Sequence, residues 1–342
     1  MHISTPTGII DSWWLGYGLS LIFPLTLLFF LATGPHEFPG VLLYGGPMIL
    51  VILLDRYGPA EQRTVPGRVP AWFFDGILYG LSLLQIFNVL ALGWLVSRLS
   101  WSTPEAIALS LLHLLLIRLM AGPNACCAAI CPAHELIHRR NVWQRRLGRL
   151  LLSTVCYDHF HVSHQQAHHA HLGGEGDPST ARPGEGFDDF FRRSVGNQWR
   201  LAWQTRPVRV WQGLAMAVGW VTLQAVCFGP LAALVFLNQA YHGIRVLEAV
   251  NYFQHYGLLR DEQGRSASAW RNDSAISLFL FIGLTRHADH HQRPGVPYSG
   301  LKVLENGPRM SRGYLWTAMR VLRQDALFRR EAEQVLLRET SG

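Results

Sequence analysis

The chain has 342 residues, of which 49% are hydrophobic and only 15% charged. Mean hydropathy is positive, at +0.13, whereas a soluble domain carries about a quarter charged residues. The formal charge of +7 could suit nucleic acid, but its arginines cluster in the connections between apolar runs, which argues against a nucleic-acid binder and for a membrane. Basic side chains are nearly all arginine, and Lys302 is the only lysine.

Six apolar runs follow in order, over 13–32, 39–55, 72–97, 106–132, 210–227 and 230–250. Each is close to the roughly 20 residues needed to cross a bilayer. The first is too long, and followed by too many others, for a cleaved signal peptide. The fifth and sixth are separated by Gly229-Pro230, which reads as a tight hairpin. The expected fold is an all-α integral membrane protein of about six transmembrane helices. The whole chain, 1–342, reads as a single domain whose histidine-rich cap comprises 133–209 and 251–342.

Arginine placement orients the bundle. Arg56, Arg63 and Arg68 follow the second run, and Arg139, Arg140, Arg145, Arg146 and Arg149 follow the fourth. The opposite connections hold only Arg98. The positive-inside rule then places both termini and the cap in the cytoplasm. The expected location is a bacterial-type inner (plasma) membrane. Arg118 lies inside the fourth run, where an ionisable residue is costly; it is expected as a polar tie to a neighbouring helix rather than a substrate contact. Pro123 should kink the same helix. Cys126, Cys127, Cys131, Cys156 and Cys227 form no CxxC pair and read as reduced thiols.

Nine histidines fall in four clusters: His134 and His138 in HELIH, then His164, His168 and His169 in HVSHQQAHH. His255 follows in NYFQHYG, and His287, His290 and His291 in RHADHH. Each cluster lies beside an apolar run. Imidazole is the commonest side-chain metal ligand, and nine of them suggest two metal ions. His134 and His138, His164 and His168, and His287 and His291 are each four apart, so each pair shares a helix face. His2, His36, His113 and His242 stand alone and read as surface or packing residues. His159, His161 and His171 flank the second cluster and read as supporting or surface residues.

An all-imidazole set suits iron, zinc or copper, so the ligands alone do not choose. HELIH also fits HExxH, in which Glu135 would serve as the base of a zinc protease. That reading needs one further ligand, and the chain offers seven more clustered histidines. A metal transporter would want polar groups within the spans, and the histidines lie outside them. Acidic side chains commonly fix the tautomer of a ligand histidine. Glu135, Asp177, Asp289 and Glu248 are candidates here, with Gln254 beside His255; for Glu248 the plainer reading is a pair with Arg245.

The segments HELIHRRN, SHQQAHH with GDPSTARPGE, NYFQHYGLLR and LTRHADHH resemble the motifs of the membrane-bound alkane 1-monooxygenase family, within the histidine-box desaturases and hydroxylases. The likeness runs from about Pro132 to Gly313. It implies a non-haem centre of two iron ions held by the nine clustered histidines, which uses O2 to hydroxylate a terminal carbon of a hydrophobic substrate. Methyl hydroxylation of an alkyl-aromatic and desaturation of a lipid chain are the near alternatives. The sequence departs from the family at Ser163 and Gln254, where Glu is usual, and at Ala167, where Gly is usual. No flavin, dinucleotide or iron–sulfur motif is present, so electrons should come from a separate rubredoxin- or ferredoxin-like donor and its reductase. The arginines of 139–149 are a candidate docking patch, with anchoring to lipid headgroups as the simpler role.

Overall fold

The computed structural model describes residues 12–260 and 267–340, and it is helical throughout, with no strand among them. Five helices are long and apolar enough to cross a membrane: α1 (Trp13–Thr33), α2 (Phe38–Tyr57), α3 (Ala71–Ser97), α4 (Pro104–Ile137) and α8 (Pro207–Phe228). Between α4 and α8 come α5 (Val142–Ser153), α6 (160–171) and α7 (Phe187–Thr205). After α8 come α9 (Pro230–His255), the short α10 (Ala275–Leu280) and α11 (His287–Gln292), and α12 (Tyr314–Thr340).

The sixth expected span is a helix of 26 residues, α9, but it is less apolar than the five. Gln239, Glu248, Asn251 and Gln254 on it are buried. The Gln239 Nε2 donates to the Thr154 carbonyl at 3.1 Å. Gln239, Glu248 and Gln254 find protein partners because α9 packs against α3, α4, α8 and α12. Gly229, at φ +95°, makes the expected hairpin between α8 and α9, a conformation that favours glycine.

Helix ends follow local chemistry. The Thr103 Oγ1 accepts from the Ala106 amide at 3.2 Å, with Pro104 at the first helical position. The Asn141 Oδ1 caps α5 through the Trp143 amide at 2.8 Å. α12 is anchored by Asp55 of α2, whose Oδ2 accepts from the Leu315 amide at 2.8 Å. A Cβ at Gly313 would stand 1.9 Å from Asp55 Oδ1, so the chain passes here only as glycine.

Two apolar clusters stack along the bundle. One includes Leu27, Phe30, Leu92, Leu116 and Phe236 between the spans. The other includes Leu136, Tyr157, Phe160, Phe253 and Tyr298, around the histidines. Phe29, Leu43, Ile49 and Val226 are well exposed on the spans, as a lipid-facing surface requires. α4 has 34 residues, about 51 Å at 1.5 Å per residue. That exceeds the roughly 30 Å hydrocarbon core, so its histidine-bearing end reaches past the apolar belt.

Candidate metal centre

The end of α4 carries His134 and the C-cap His138. Upstream, Ala125–Ile130 forms a widened π turn between Pro123 and Pro132. Proline lacks the N–H that continues an α-helical ladder, and a π turn is one way to absorb such a break. The expected irregularity near Pro123 thus takes the form of an extra residue in one turn.

A second π turn spans His164–His168, where the His169 amide donates to the His164 carbonyl. This i to i+5 pattern changes the histidine pairing. The spacing predicts His164 with His168; instead His164 faces His169, their Nε2 atoms 3.1 Å apart. On α11 the spacing holds, and the Nε2 atoms of His287 and His291 are 3.0 Å apart. His255 sits at the end of α9.

The nine rings form two groups. One comprises His134, His138, His164, His169 and His290; the other comprises His168, His255, His287 and His291. Within each group, one nitrogen per ring lies within 4.8 Å of all the others. The groups adjoin, with the ring centroids of His169 and His291 4.6 Å apart.

His164, His168, His255, His287 and His290 are no more than 3% exposed. Burial, reinforced by the charge of His168, pulls His138 down to about 4 and His255 to about 3. Burial and neighbouring rings lower His164, His287, His290 and His291 in the same direction. Neutral imidazoles keep the lone pair that binds a cation. The Nε2 atoms of His134, His138, His168 and His290 are buried without a hydrogen-bond partner. A buried polar atom left unsatisfied costs about 1–3 kcal/mol. So many in one place fit a bound metal, and the all-nitrogen donor set suits iron, zinc or copper.

Asp177 is the one expected carboxylate found on a clustered ring. Its Oδ1 lies 2.9 Å from His168 Nδ1. The Thr180 hydroxyl donates to Oδ2 at 2.6 Å and the Ser179 amide to Oδ1 at 2.8 Å. Burial opposes the charge of Asp177, but His168 and these donors outweigh it and bring the carboxyl down to about 2. Charged Asp177 fixes the proton on Nδ1 and turns His168 Nε2 toward its group.

The other candidates are engaged elsewhere. Glu135 accepts from Arg139 Nε at 2.8 Å. Asp289, expected to brace the rings, pairs with Arg293 and accepts from the Lys302 amide at 2.7 Å. Glu248 is not paired with Arg245, which binds Asp188 at 2.8 Å. Instead Glu248 accepts from Tyr157, Ser194 and Gln198 at 3.1, 2.8 and 2.9 Å. Ser163 joins this network through Gln198, at 3.2 Å. The Gln254 amide donates to the Tyr314 hydroxyl at 2.7 Å, yet Gln254 also lines a small void with His134, His164 and His287.

The remaining histidines stay apart from the two groups. His36 donates its amide to His113 Nε2 at 2.8 Å. His159 packs edge-on against Trp199, His161 contacts Asp158, and His171 is exposed. His2 lies outside the described residues. A cavity of about 510 Å³ approaches the rings between α2, α4, α9 and α12. Its lining, from Met48 to Arg323, converges from four helices and has no signature in any one of them. Arg118 lies on it, exposed and with no ion pair among the described residues, so the expected tie to a neighbouring helix is not found.

Residues 108–306, more than half of the chain, match the family described as fatty acid desaturase. The chain belongs to this family. Within the desaturase family it is similar to alkane 1-monooxygenase 1 of Pseudomonas aeruginosa, 32% identical over 210 residues, which are 54% of this chain and 54% of that one. It thus spans about half the length of that relative. An alkane 1-monooxygenase of Pseudomonas putida is 30% identical over 308 residues, covering 82% of this chain and 74% of that one. The hydroxylase component of xylene/toluene monooxygenase from Pseudomonas putida is 24% identical over 318 residues, covering 86% and 81%. The family resemblance carried by the histidine boxes is borne out, and this desaturase-family membrane protein is alkane-monooxygenase-like.

Proposed function

We propose that this protein uses O2 to hydroxylate a terminal or methyl carbon of a hydrophobic, alkane-like substrate at a centre of two iron ions. The observation that carries the reading is the division of nine clustered imidazoles into two adjoining groups. His134, His138, His164, His169 and His290 would hold one ion, and His168, His255, His287 and His291 the other. Iron bound there would supply the redox chemistry that splits O2 and attacks an unactivated C–H bond. The similarity to alkane 1-monooxygenases supports this choice of metal and reaction.

The chain's own residues do the rest. Asp177 holds the His168 proton on Nδ1. Val250, Phe281 and Tyr314, all buried, form an apolar floor that positions an alkyl end and excludes water. The whole chain acts as one domain in a bacterial-type inner membrane, with termini and histidines in the cytoplasm, as the arginine bias supports. Electrons come from a separate rubredoxin- or ferredoxin-like protein with its reductase. Methyl hydroxylation of an alkyl-aromatic is a second reading, favoured by the similarity to the xylene/toluene hydroxylase component.

The test is product analysis by mass spectrometry of cells expressing the protein under labelled O2, fed alkanes, alkylbenzenes and lipids. Labelled alcohol is expected. An unlabelled alkene would replace hydroxylation by desaturation. One tightly held zinc per purified chain, without iron, would overturn the metal assignment.

A further inference from the structure

The cavity of about 510 Å³ is graded from end to end. Its floor is buried, with Val250, Phe281 and Tyr314 at 3%, 2% and 0% exposure. Val250 also borders the void beside His134, His164 and His287. Phe281 borders the one beside His134, His287 and His290. The floor is therefore a single side chain away from the imidazoles.

The rim is cationic. Arg118 and Arg323 are exposed there, with His242 and Arg245 beside them, and no carboxylate among the described residues lines the cavity. Arg245 is already engaged by Asp188 at 2.8 Å and lies over the Phe187 ring. Arg118 and Arg323 have no ion pair among the described residues. A guanidinium within a membrane span is costly unless it meets water, lipid headgroups or a counter-ion. An alkane offers it none of these.

We propose that the cavity takes an anionic amphiphile, a long-chain fatty acid, with its carboxylate at Arg118 and Arg323 and its methyl end on the floor. Guanidinium matches carboxylate in charge and in its planar donor fork. Arg118 and His134 are about 24 Å apart along α4 at 1.5 Å per residue, a reach that suits an extended acyl chain. The reaction is then ω-hydroxylation, and it rests on the hydroxylase reading above. One oxygen atom enters a terminal C–H bond and turns CH3 into CH2OH. The other leaves as water, with two protons and two electrons delivered by the protein donor.

The experiment uses the full chain in nanodiscs of phosphatidylcholine with a minor share of phosphatidylglycerol. Octadecanoate, methyl octadecanoate and octadecane are titrated into metal-free protein by calorimetry, and the iron-loaded protein is then assayed for ω-hydroxyoctadecanoate. The acid should bind at least about tenfold tighter than the ester, the loss expected for one charge-assisted bond. Arg118→Gln should remove most of that preference and leave the ester unchanged, while Arg118→Lys keeps part of it. Arg323→Gln should act in the same direction. Equal binding of acid and ester, or acid binding indifferent to both Gln variants, overturns the proposal. Loss of bound phosphatidylglycerol in Arg118→Gln with acid binding intact overturns it too, because the arginine then serves lipid phosphate. Arginine-dependent acid binding without oxidation of any of the three compounds upholds the binding site and counts against the hydroxylase reading instead.

Discussion

The Oδ1 of Asp177 lies 2.9 Å from Nδ1 of His168, and both side chains are almost fully buried. Three further donors fix the carboxylate, from Gly173, Ser179 and Thr180. Asp177→Asn should therefore change the bonding to one ring while leaving the fold in place. Metal affinity should fall about 10- to 100-fold, the usual effect of losing such a support. Elemental analysis after dialysis against graded chelator measures it, with circular dichroism as the check on folding. Wild-type metal retention would show that His168 needs no help in holding its tautomer.

The neighbours His168 and His169 belong to different groups. His168→Ala and His169→Ala should each lower iron content and abolish turnover, with the loss at a different ion. Mössbauer spectra of the two variants should then retain different residual signals. His113→Ala, whose ring is bonded to His36 far from the groups, should keep the full iron content. Full iron content in both His168→Ala and His169→Ala would remove this pair from the centre.

Much of this site is legible in the sequence. The nine histidines declare themselves by number and by HxxxH spacing, and Asp177 by its place after the second cluster. The partition between groups is not legible, because it depends on the π turn at His164–His168, which spacing alone reads as α-helix. Asp289 misleads for a related reason. It lies between two ring positions in sequence, but its side chain leaves α11 toward Arg293 and Lys302. The boundaries of α1, α2, α3 and α8 follow from hydropathy. α9 does so only in part, since its buried polar residues answer to partners distant in the chain. The cavity was hidden entirely, because four helices each contribute a few of its residues.

Glu248 is fully buried and accepts three side-chain hydrogen bonds. Glu248→Leu would strand the Ser194 hydroxyl, while Tyr157 keeps the Gln198 Oε1 at 3.2 Å and Gln198 keeps the Ser194 Oγ at 2.9 Å. A loss of about 1–3 kcal/mol is expected, read as a lower midpoint in thermal unfolding. Glu248→Gln, which keeps an acceptor, should lose less and retain metal. Equal stability of the Leu variant would mean that water can replace the carboxylate.

Gln254 donates to the Tyr314 hydroxyl and to the Leu284 carbonyl, at 2.7 and 3.3 Å. A carboxylate has no such donors. Gln254→Glu should therefore destabilise by about 1 kcal/mol for the lost bond to Leu284. Tyr314→Phe should remove most of the remaining contact. An unchanged unfolding midpoint in Gln254→Glu would count against this hydrogen-bonded arrangement.

The arginines of the proposed docking patch divide by engagement. Arg139 is tied to Asp75 and Glu135, and Arg149 to Asp158. Arg146 is exposed and, among the described residues, stacks on Trp143, while Arg145 reaches the Arg139 carbonyl. Donor-driven turnover should fall as salt rises, because screening weakens steering between opposite charges. Arg146→Glu should raise the donor concentration for half-maximal rate without loss of iron. Arg149→Glu should instead destabilise the fold. Turnover indifferent to salt and to Arg146→Glu would leave these arginines to the membrane.

At two points the chain crosses between the two imidazole groups within a single peptide unit. His168 and His169 make one crossing, and His290 and His291 the other. Consecutive Cα atoms are about 3.8 Å apart across a trans peptide, and that length scarcely varies. Two such links, on different helices, act as fixed rulers, so neither group can be enlarged, drawn apart or dispensed with by sliding one helix past another. A deletion of one residue in either doublet would disturb both groups at once, which makes them a single heritable unit.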